Sequence, residues 1–279
     1  MGLTAWGTAF FKRISFCAVV LVLCFAATGC SSHSAQKLLL IGGGHIPDEA
    51  IENFQQWASG PDANILVVSW ATEDPAGSYG FYRDRFEPGY DGKVIHAVYK
   101  DELHYRKSEF ADQVRNATGI FFTGGDQNHV LDALELHPDL RELLSAAYQQ
   151  GTPMGGTSAG TAIMSAISLT GKAPPLARQD DVDLRTGLGL LRDLILDQHF
   201  LKRQRFGRLL AALKKSKFQL GLGIDENAAL AVEDSQYAKV VGQNKVIAIR
   251  STETNQYSIT ELQPGDVYDI SRKELVSAP

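Results

Sequence analysis

The sequence predicts an α/β protein: a mostly parallel sheet covered by helices on both faces, with an antiparallel extension at its C-terminal end. Three observations point there. Continuous apolar runs recur at Lys37–Ile41, Ile65–Trp70, Val94–Tyr99 and Gly119–Thr123, as strands buried on both faces require. Segments with helical spacing separate them. Past residue 237 the pattern changes to short strands joined by turn residues.

The first thirty residues stand apart from this pattern. Lys12 and Arg13 precede an apolar run over 14–27, and Thr28-Gly29-Cys30 follows with no acidic residue anywhere before it. This is the layout of a secretory leader, with an apolar core too short to span a bilayer comfortably. ATGC followed by Ser31 and Ser32 resembles a lipobox, so residues 1–29 are expected to be a lipoprotein signal peptide and Cys30 the lipidated residue that anchors the chain to the membrane. Ala27 stands where leucine is more usual. Residues 30–36 then form a polar tether, and residues 37–279 a single α/β hydrolase domain. The expected location is the cell envelope of a bacterium, lipid-anchored on its periplasmic or outer face.

Along that domain, the spacing places a helix after the first strand with Ile51 and Phe54 on its buried face, and helices from near Asn128 and over Leu140–Gln149. A very short strand at Pro153–Gly155 leads into a serine turn, and TAIMSAISL behind it reads as an apolar helix. Residues 171–192, rich in Pro, Gly and Asp, read as a surface excursion beside a site. A helix over Leu201–Lys214 carries Phe206, Leu209, Leu210 and Leu213 on one face. GLGIDENAALAVE holds a strand, AKVVGQNKVIAIR reads as a hairpin turning at Gly242–Asn244, and DVYDISRKEL as a final edge strand.

Composition narrows the function. The chain has 279 residues, 44% hydrophobic and 21% charged, enough for a sizeable core. Its net charge is −5, and losing residues 1–29 removes only Lys12 and Arg13, leaving 25 basic against 32 acidic residues, or −7. Nucleic acid is therefore not the expected partner. Cys17 and Cys24 lie within the leader, so the processed chain keeps Cys30 alone and has no internal disulfide.

The chemistry begins at GGTSAG. Gly-x-Ser-x-Gly between a strand and a helix is a nucleophile elbow, with Ser158 at its apex and the following amides favouring negative charge. A serine hydroxyl needs a base. Among seven histidines, His33 lies in the tether, and His45, His96, His104, His129 and His137 have no assignable acidic partner; His199, in LDQHF, closes an apolar strand where parallel sheets carry their sites. Asp197, Asp225 and Glu226 all sit at strand ends and are candidates to hold the imidazole. The loop FTGGDQ offers the amides of Gly124 and Gly125, with that of Ala159, as an oxyanion hole. GGGH at 42–45 lacks dinucleotide-loop spacing, since Pro47 stands where the third glycine belongs. Arg203, Arg205 and Arg208 crowd beside His199, with Arg205 and Arg208 on one helical face, and suit a substrate bearing carboxylates.

FTGGDQ, GGTSAG, DQHF followed by R-x-R-x-x-R, and GIDEN, in that order, resemble the cyanophycinase and peptidase E family of serine peptidases, in its exported lipoprotein form. The resemblance implies a fold like class I glutamine amidotransferases, with serine in place of their cysteine. It implies a catalytic triad of Ser158, His199 and Glu226, with Gln127, Asp197, Gln198, Arg203, Arg205, Arg208 and Asn227 at substrate-pocket positions. The implied substrate is cyanophycin, a polyaspartate with arginine on each β-carboxyl, cut to β-Asp-Arg dipeptides through an acyl-enzyme; Asp197 would meet a substrate guanidinium and the arginines free carboxylates. No metal or organic cofactor is implied. Thr161 stands where the family more often has alanine, and the exported leader departs from an enzyme that mobilises a cell's own store. Two alternatives stay open: an aspartyl dipeptidase of the same family, and a lipid-anchored protein that binds peptides without cleaving them. A homodimer also remains open.

Overall fold

The computed structural model describes residues 35–171, 173, 174, 176–252 and 256–276. The leader, Cys30 and the tether up to residue 34 lie outside them. The chain opens with β1 (Lys37–Ile41), α1 (Asp48–Trp57), β2 (Asn64–Val68), α2 (Pro75–Phe86), β3 (Lys93–His96), α3 (Leu103–Asn116) and β4 (Gly119–Phe122). Two helices, α4 (Gln127–Leu136) and α5 (Pro138–Gln149), precede β5 (Met154–Thr157). β1, β5, β4, β2 and β3 pair in that order, all parallel. Helix starts follow from local chemistry: Asp74 accepts from the Gly77 amide at 2.9 Å ahead of Pro75, and Asp126 from the Asn128 amide at 2.9 Å.

A parallel sheet of five strands buries both faces, which explains the unbroken apolar runs. Leu39, Ile41, Ile65, Val67 and Phe121 point to α1 and α2, where Phe54 and Phe86 pack on them. Leu38, Leu40, Leu66, Val68, Ile120 and Phe122 point the other way, into the larger core.

Beyond β5 the structure departs from the expected order. TAIMSAISL is not a helix: α6 (Ala159–Ala162) is a single turn, and β6 (Ile167–Thr170) pairs antiparallel with β7 (Asp183–Thr186). A short apolar run has no period that separates helix from strand, and here the Leu188 and Leu190 amides bond to the carbonyls of Ile163 and Met164 at 2.7 and 2.9 Å. The 171–192 excursion is correspondingly more than surface, with Leu188, Leu190 and Leu191 buried. α6 is also too short to act as an extended dipole behind the serine.

Next come β8 (Leu194–Gln198), α7 (Phe206–Ser216) and β9 (Leu220–Ile224), then β10 (Ala228–Glu233), β11 (Tyr237–Gly242), β12 (Val246–Ser251), β13 (Tyr257–Leu262), β14 (Val267–Asp269) and β15 (Glu274–Val276). α7 starts later than expected, so Arg205 precedes the helix and Arg208 lies inside it. GLGIDENAALAVE holds two strands rather than one. β10, β11, β14 and β15 extend the main sheet antiparallel, from β10 paired on β1. β8, β9, β12 and β13 form a second, four-stranded sheet. AKVVGQNKVIAIR is consequently not a hairpin. β11 pairs with β10 in the main sheet, whereas β12 pairs with β9 in the other. The second sheet presents Leu196, Leu222 and Ile224 to the larger core and Ile195, Ile247 and Ile249 to α7. Among the described residues no helix is long and apolar enough to cross a membrane.

Phe54 is fully buried between Phe86 and Phe121, with ring centroids 5.5 and 5.6 Å away. Phe54→Ala is expected to lower stability by about 3–5 kcal/mol, read as a reduced urea midpoint at unchanged slope.

Candidate active site

β5 ends at Thr157, and the chain reverses sharply at Ser158, whose φ of 50° and ψ of −110° place a non-glycine residue in a strained conformation. The amide of Ser158 donates to the Ile41 carbonyl at 3.0 Å, tying the apex to the end of β1. Gly160 makes the turn possible: a Cβ there would lie 2.2 Å from the Phe122 carbonyl oxygen. Thr161 is buried, and its hydroxyl lies 2.7 and 2.8 Å from the carbonyls of Ile41 and Gly156. Thr161 thus ties the elbow to β1.

The second sheet supplies the other two members. His199 follows β8 with a φ of 49°, and its amide donates to the Gly42 carbonyl at 2.8 Å. Its Nε2 lies 2.8 Å from Ser158 Oγ, and its Nδ1 lies 2.7 Å from Glu226 Oε1. The three side chains form one hydrogen-bonded line. Of the three candidate acids, Glu226 alone reaches the imidazole. Asp225 instead accepts from the Leu201 and Lys202 amides at 3.0 and 2.9 Å, fixing the turn after His199. Asp197 is fully buried and held by Arg208, 3.0 Å from Oδ2 and 2.5 Å from Oδ1, and by Arg205 at 3.4 Å.

That placement corrects the expectation that Asp197 meets a substrate guanidinium. Both of its oxygens already accept from arginines of its own chain, in a site with no exposure. Arg208, likewise buried, gives a further N–H, from Nη1, to the Gly171 carbonyl at 2.9 Å, and its burial keeps it from a substrate carboxylate. Arg205 is partly buried, bonds the Gln198 carbonyl at 2.5 Å, and is lowered to about 10 by burial. Arg203 is exposed and has no side-chain partner among the described residues. Gln127 is buried and donates to the Leu169 carbonyl at 2.9 Å. Gln198 is buried, and its Oε1 has no hydrogen-bond partner among the described residues. Asn227, with a φ of 59°, accepts the His45 amide at 2.8 Å, a bond within the loop scaffold.

Gly124 lies against Ser158, where a Cβ would sit 3.6 Å from that of the serine. Its amide faces the Tyr82 hydroxyl, whose pKa burial pushes up to about 12. The amides of Gly125 and Ala159 have no hydrogen-bond partner among the described residues, which leaves them as the available donors for an oxyanion. The residues that sequence reasoning passed over are Gly42, Gly43 and Gly44. A Cβ on Gly43, whose φ is 106°, would lie 2.3 Å from His199 Cε1. The glycine triplet was visible in the sequence, and its role is close approach to the imidazole rather than to a phosphate.

Burial lowers the pKa of His199, Glu226 opposes the shift, and the cations Arg203 and Arg205 add to it. The imidazole is therefore neutral at neutral pH and can accept a proton from Ser158. Such an arrangement performs acyl transfer.

The model for Peptidase family S51 matches residues 38–240. The chain belongs to that family. This S51 peptidase is a serine-type peptidase, and it is similar to curated proteins called "Cyanophycinase". The one from Synechococcus elongatus is 30% identical over 247 residues, covering 85% of this chain and 77% of the relative. The one from Geminocystis herdmanii (strain PCC 6308) is 31% identical over 222 residues, covering 76% and 80%. Among solved structures, a peptidase from an acI-B1 Actinobacterium shares the fold with a TM-score of 0.66 at 21% identity, covering 85% of this chain and 98% of that one. A putative peptidase E protein from Listeria monocytogenes EGD-e has a TM-score of 0.50 at 16% identity, covering 78% and 100%.

Two outcomes follow for the S51 peptidase. With His199 as the base, kcat/KM is expected to fall as pH drops through a His199 pKa below 6.5. Arg203→Gln removes a charge that lowers this pKa and moves the acid limb to higher pH, whereas Glu226→Gln moves it to lower pH; pH profiles of all three proteins check both shifts. Arg208→Met leaves Asp197 with the more distant Arg205 alone, and is expected to destabilise the fold by about 3–5 kcal/mol in urea titration.

Proposed function

We propose that this S51 peptidase hydrolyses cyanophycin to β-Asp-Arg dipeptides, with Ser158 as nucleophile, His199 as general base and then acid, and Glu226 as the residue that orients the imidazole. The hydrogen-bonded line from Ser158 Oγ through His199 to Glu226 carries the reading. The similarity to proteins called "Cyanophycinase" supplies the substrate.

In this reading Ser158 Oγ attacks a backbone aspartyl carbonyl as His199 Nε2 takes its proton. The Gly125 and Ala159 amides hold the oxyanion. The C–N bond then breaks, and His199 returns the proton to the leaving amine. Water attacks the acyl-enzyme by the same route and frees Ser158. Recognition of the polymer falls to groups the protein leaves uncommitted. Arg203 meets free carboxylates, and the unpartnered Oε1 of Gln198 accepts from a substrate N–H. No organic cofactor or metal takes part.

The processed protein is proposed to begin at Cys30, lipid-anchored outside the cytoplasm, with residues 37–279 as its single hydrolase domain. The charged, apolar and small-residue zones of residues 1–30 support this. Radiolabelled palmitate incorporated by the wild type and lost in Cys30→Ala is the expected result; an unlabelled cytoplasmic protein would refute the anchor.

For the activity, protein lacking residues 1–30 is incubated with insoluble cyanophycin and the products are followed by mass spectrometry. Release of β-Asp-Arg is expected, with a loss of at least about a thousandfold in Ser158→Ala. Cleavage of short aspartyl peptides without attack on the polymer would instead make it a dipeptidase.

A further inference from the structure

Two of the chain's crossings between the two sheets run side by side. Asp225–Asn227 leads from β9 to β10, and residues 243–245 lead from β11 back to β12. The strand registers bring the crossings together, because Ala228 pairs with Gly242 at one end and Ile224 with Val246 at the other. Glu226 rides on the first crossing. Apart from His199, its carboxylate has no hydrogen-bond partner among the described residues, and its side chain is 25% exposed. Its direction is thus set through its main chain.

Three contacts hold that main chain. Asp225 accepts the amides of Leu201 and Lys202, which locks the crossing to the turn after His199. Asn227 accepts the His45 amide and gives its own to the Gly43 carbonyl at 3.0 Å, which locks it to the glycine loop. The third contact comes from the second crossing: the Gln243 amide donates to the Asn227 carbonyl at 3.0 Å, and Asn244 Nδ2 donates to the Glu226 carbonyl at 2.8 Å. Of these side chains only that of Asn244 holds the Glu226 residue itself. It lies in none of the four sequence motifs and makes no hydrogen bond to Ser158, His199 or the arginines.

We propose that Asn244 is a positioning residue: by fixing the peptide at Glu226 it aims Oε1 at His199 Nδ1 and so sets the reactivity of Ser158. The proposal rests on reading Ser158, His199 and Glu226 as catalytic. A carboxylate that orients a catalytic imidazole acts through geometry, so a loosened backbone costs turnover without touching substrate affinity.

The test compares wild type with Asn244→Ala and with Asn244→Asp, which keeps the side-chain size and replaces the donor with a carboxylate. Gln243→Ala serves as control, since only the main chain of Gln243 contributes a contact. Three readouts are taken: the rate at which a fluorophosphonate modifies Ser158, kcat and KM on cyanophycin, and the downfield proton resonance of the His199 Nδ1–H. In both Asn244 variants the modification rate and kcat are expected to fall about tenfold, the order of one lost hydrogen bond. KM stays constant, the downfield resonance weakens, and Gln243→Ala matches wild type. Unchanged modification rate and kcat, with only a lower melting temperature, would overturn the proposal. So would a rise in KM alone, which would place Asn244 on the substrate. A wild type modified at Ser158 but inert toward cyanophycin removes the substrate reading, and the modification and resonance arms still decide Asn244. A wild type not modified at Ser158 removes the triad and the proposal with it.

Discussion

The site hangs on three consecutive carbonyls at the end of the first strand. Ile41 accepts the amide of Ser158, Gly42 that of His199, and Gly43 that of Asn227, at 3.0, 2.8 and 3.0 Å. Ile41 closes the central strand of a buried sheet and Gly42 and Gly43 follow it directly, so all three acceptors are anchored by that strand. Each binding segment arrives from a different place: the elbow after β5, the turn after β8 and the crossing before β10. Ser158, His199 and Asn227 all have positive φ, a cost of about 1–3 kcal/mol each for a non-glycine residue. The three bonds help hold those conformations, and the absence of a side chain on Gly43 lets the imidazole close onto the loop.

Electrostatics at the site follow from which charges are spent inside the protein and which are left over. Asp197 and Arg208 neutralise one another in the interior, with Arg205 as a second partner at longer range. Their contribution is to the shape of the strand end that carries His199, because Arg205 also grips the Gln198 carbonyl. Arg203 keeps its charge at the surface, close enough to help keep the imidazole neutral. A basic cluster read as one carboxylate-binding unit is therefore two things, an internal brace and an exposed cation.

The legibility of the fold varied along the chain for physical reasons. The strands of the parallel sheet were plain because burial on both faces demands uninterrupted apolar residues, and β1 and β4 fall where those runs do. α6 and β6 were misread because TAIMSAISL is too short for its period to matter. β12 was misread because Gly242 to Asn244 suits a tight turn, whereas the partner of each flanking strand is chosen by distant segments: β10 claims β11, and β9 claims β12. A turn signal is local, and pairing is not.

Ser158 and His199 were nameable from the chain alone, since an elbow needs small neighbours and a strand-end histidine stands out. Residue order and composition also determined the buried strands, the acidic balance and the zoned pattern of residues 1–30. Which acid meets the imidazole was open among Asp197, Asp225 and Glu226, all at strand ends and all chemically able. Only the tertiary structure separated them, turning Asp197 inward to arginines, Asp225 onto two backbone amides and Glu226 toward His199. Sequence specifies which groups can ionise or bond; which partner each one finds depends on segments brought together from far along the chain, and no local pattern encodes that distance.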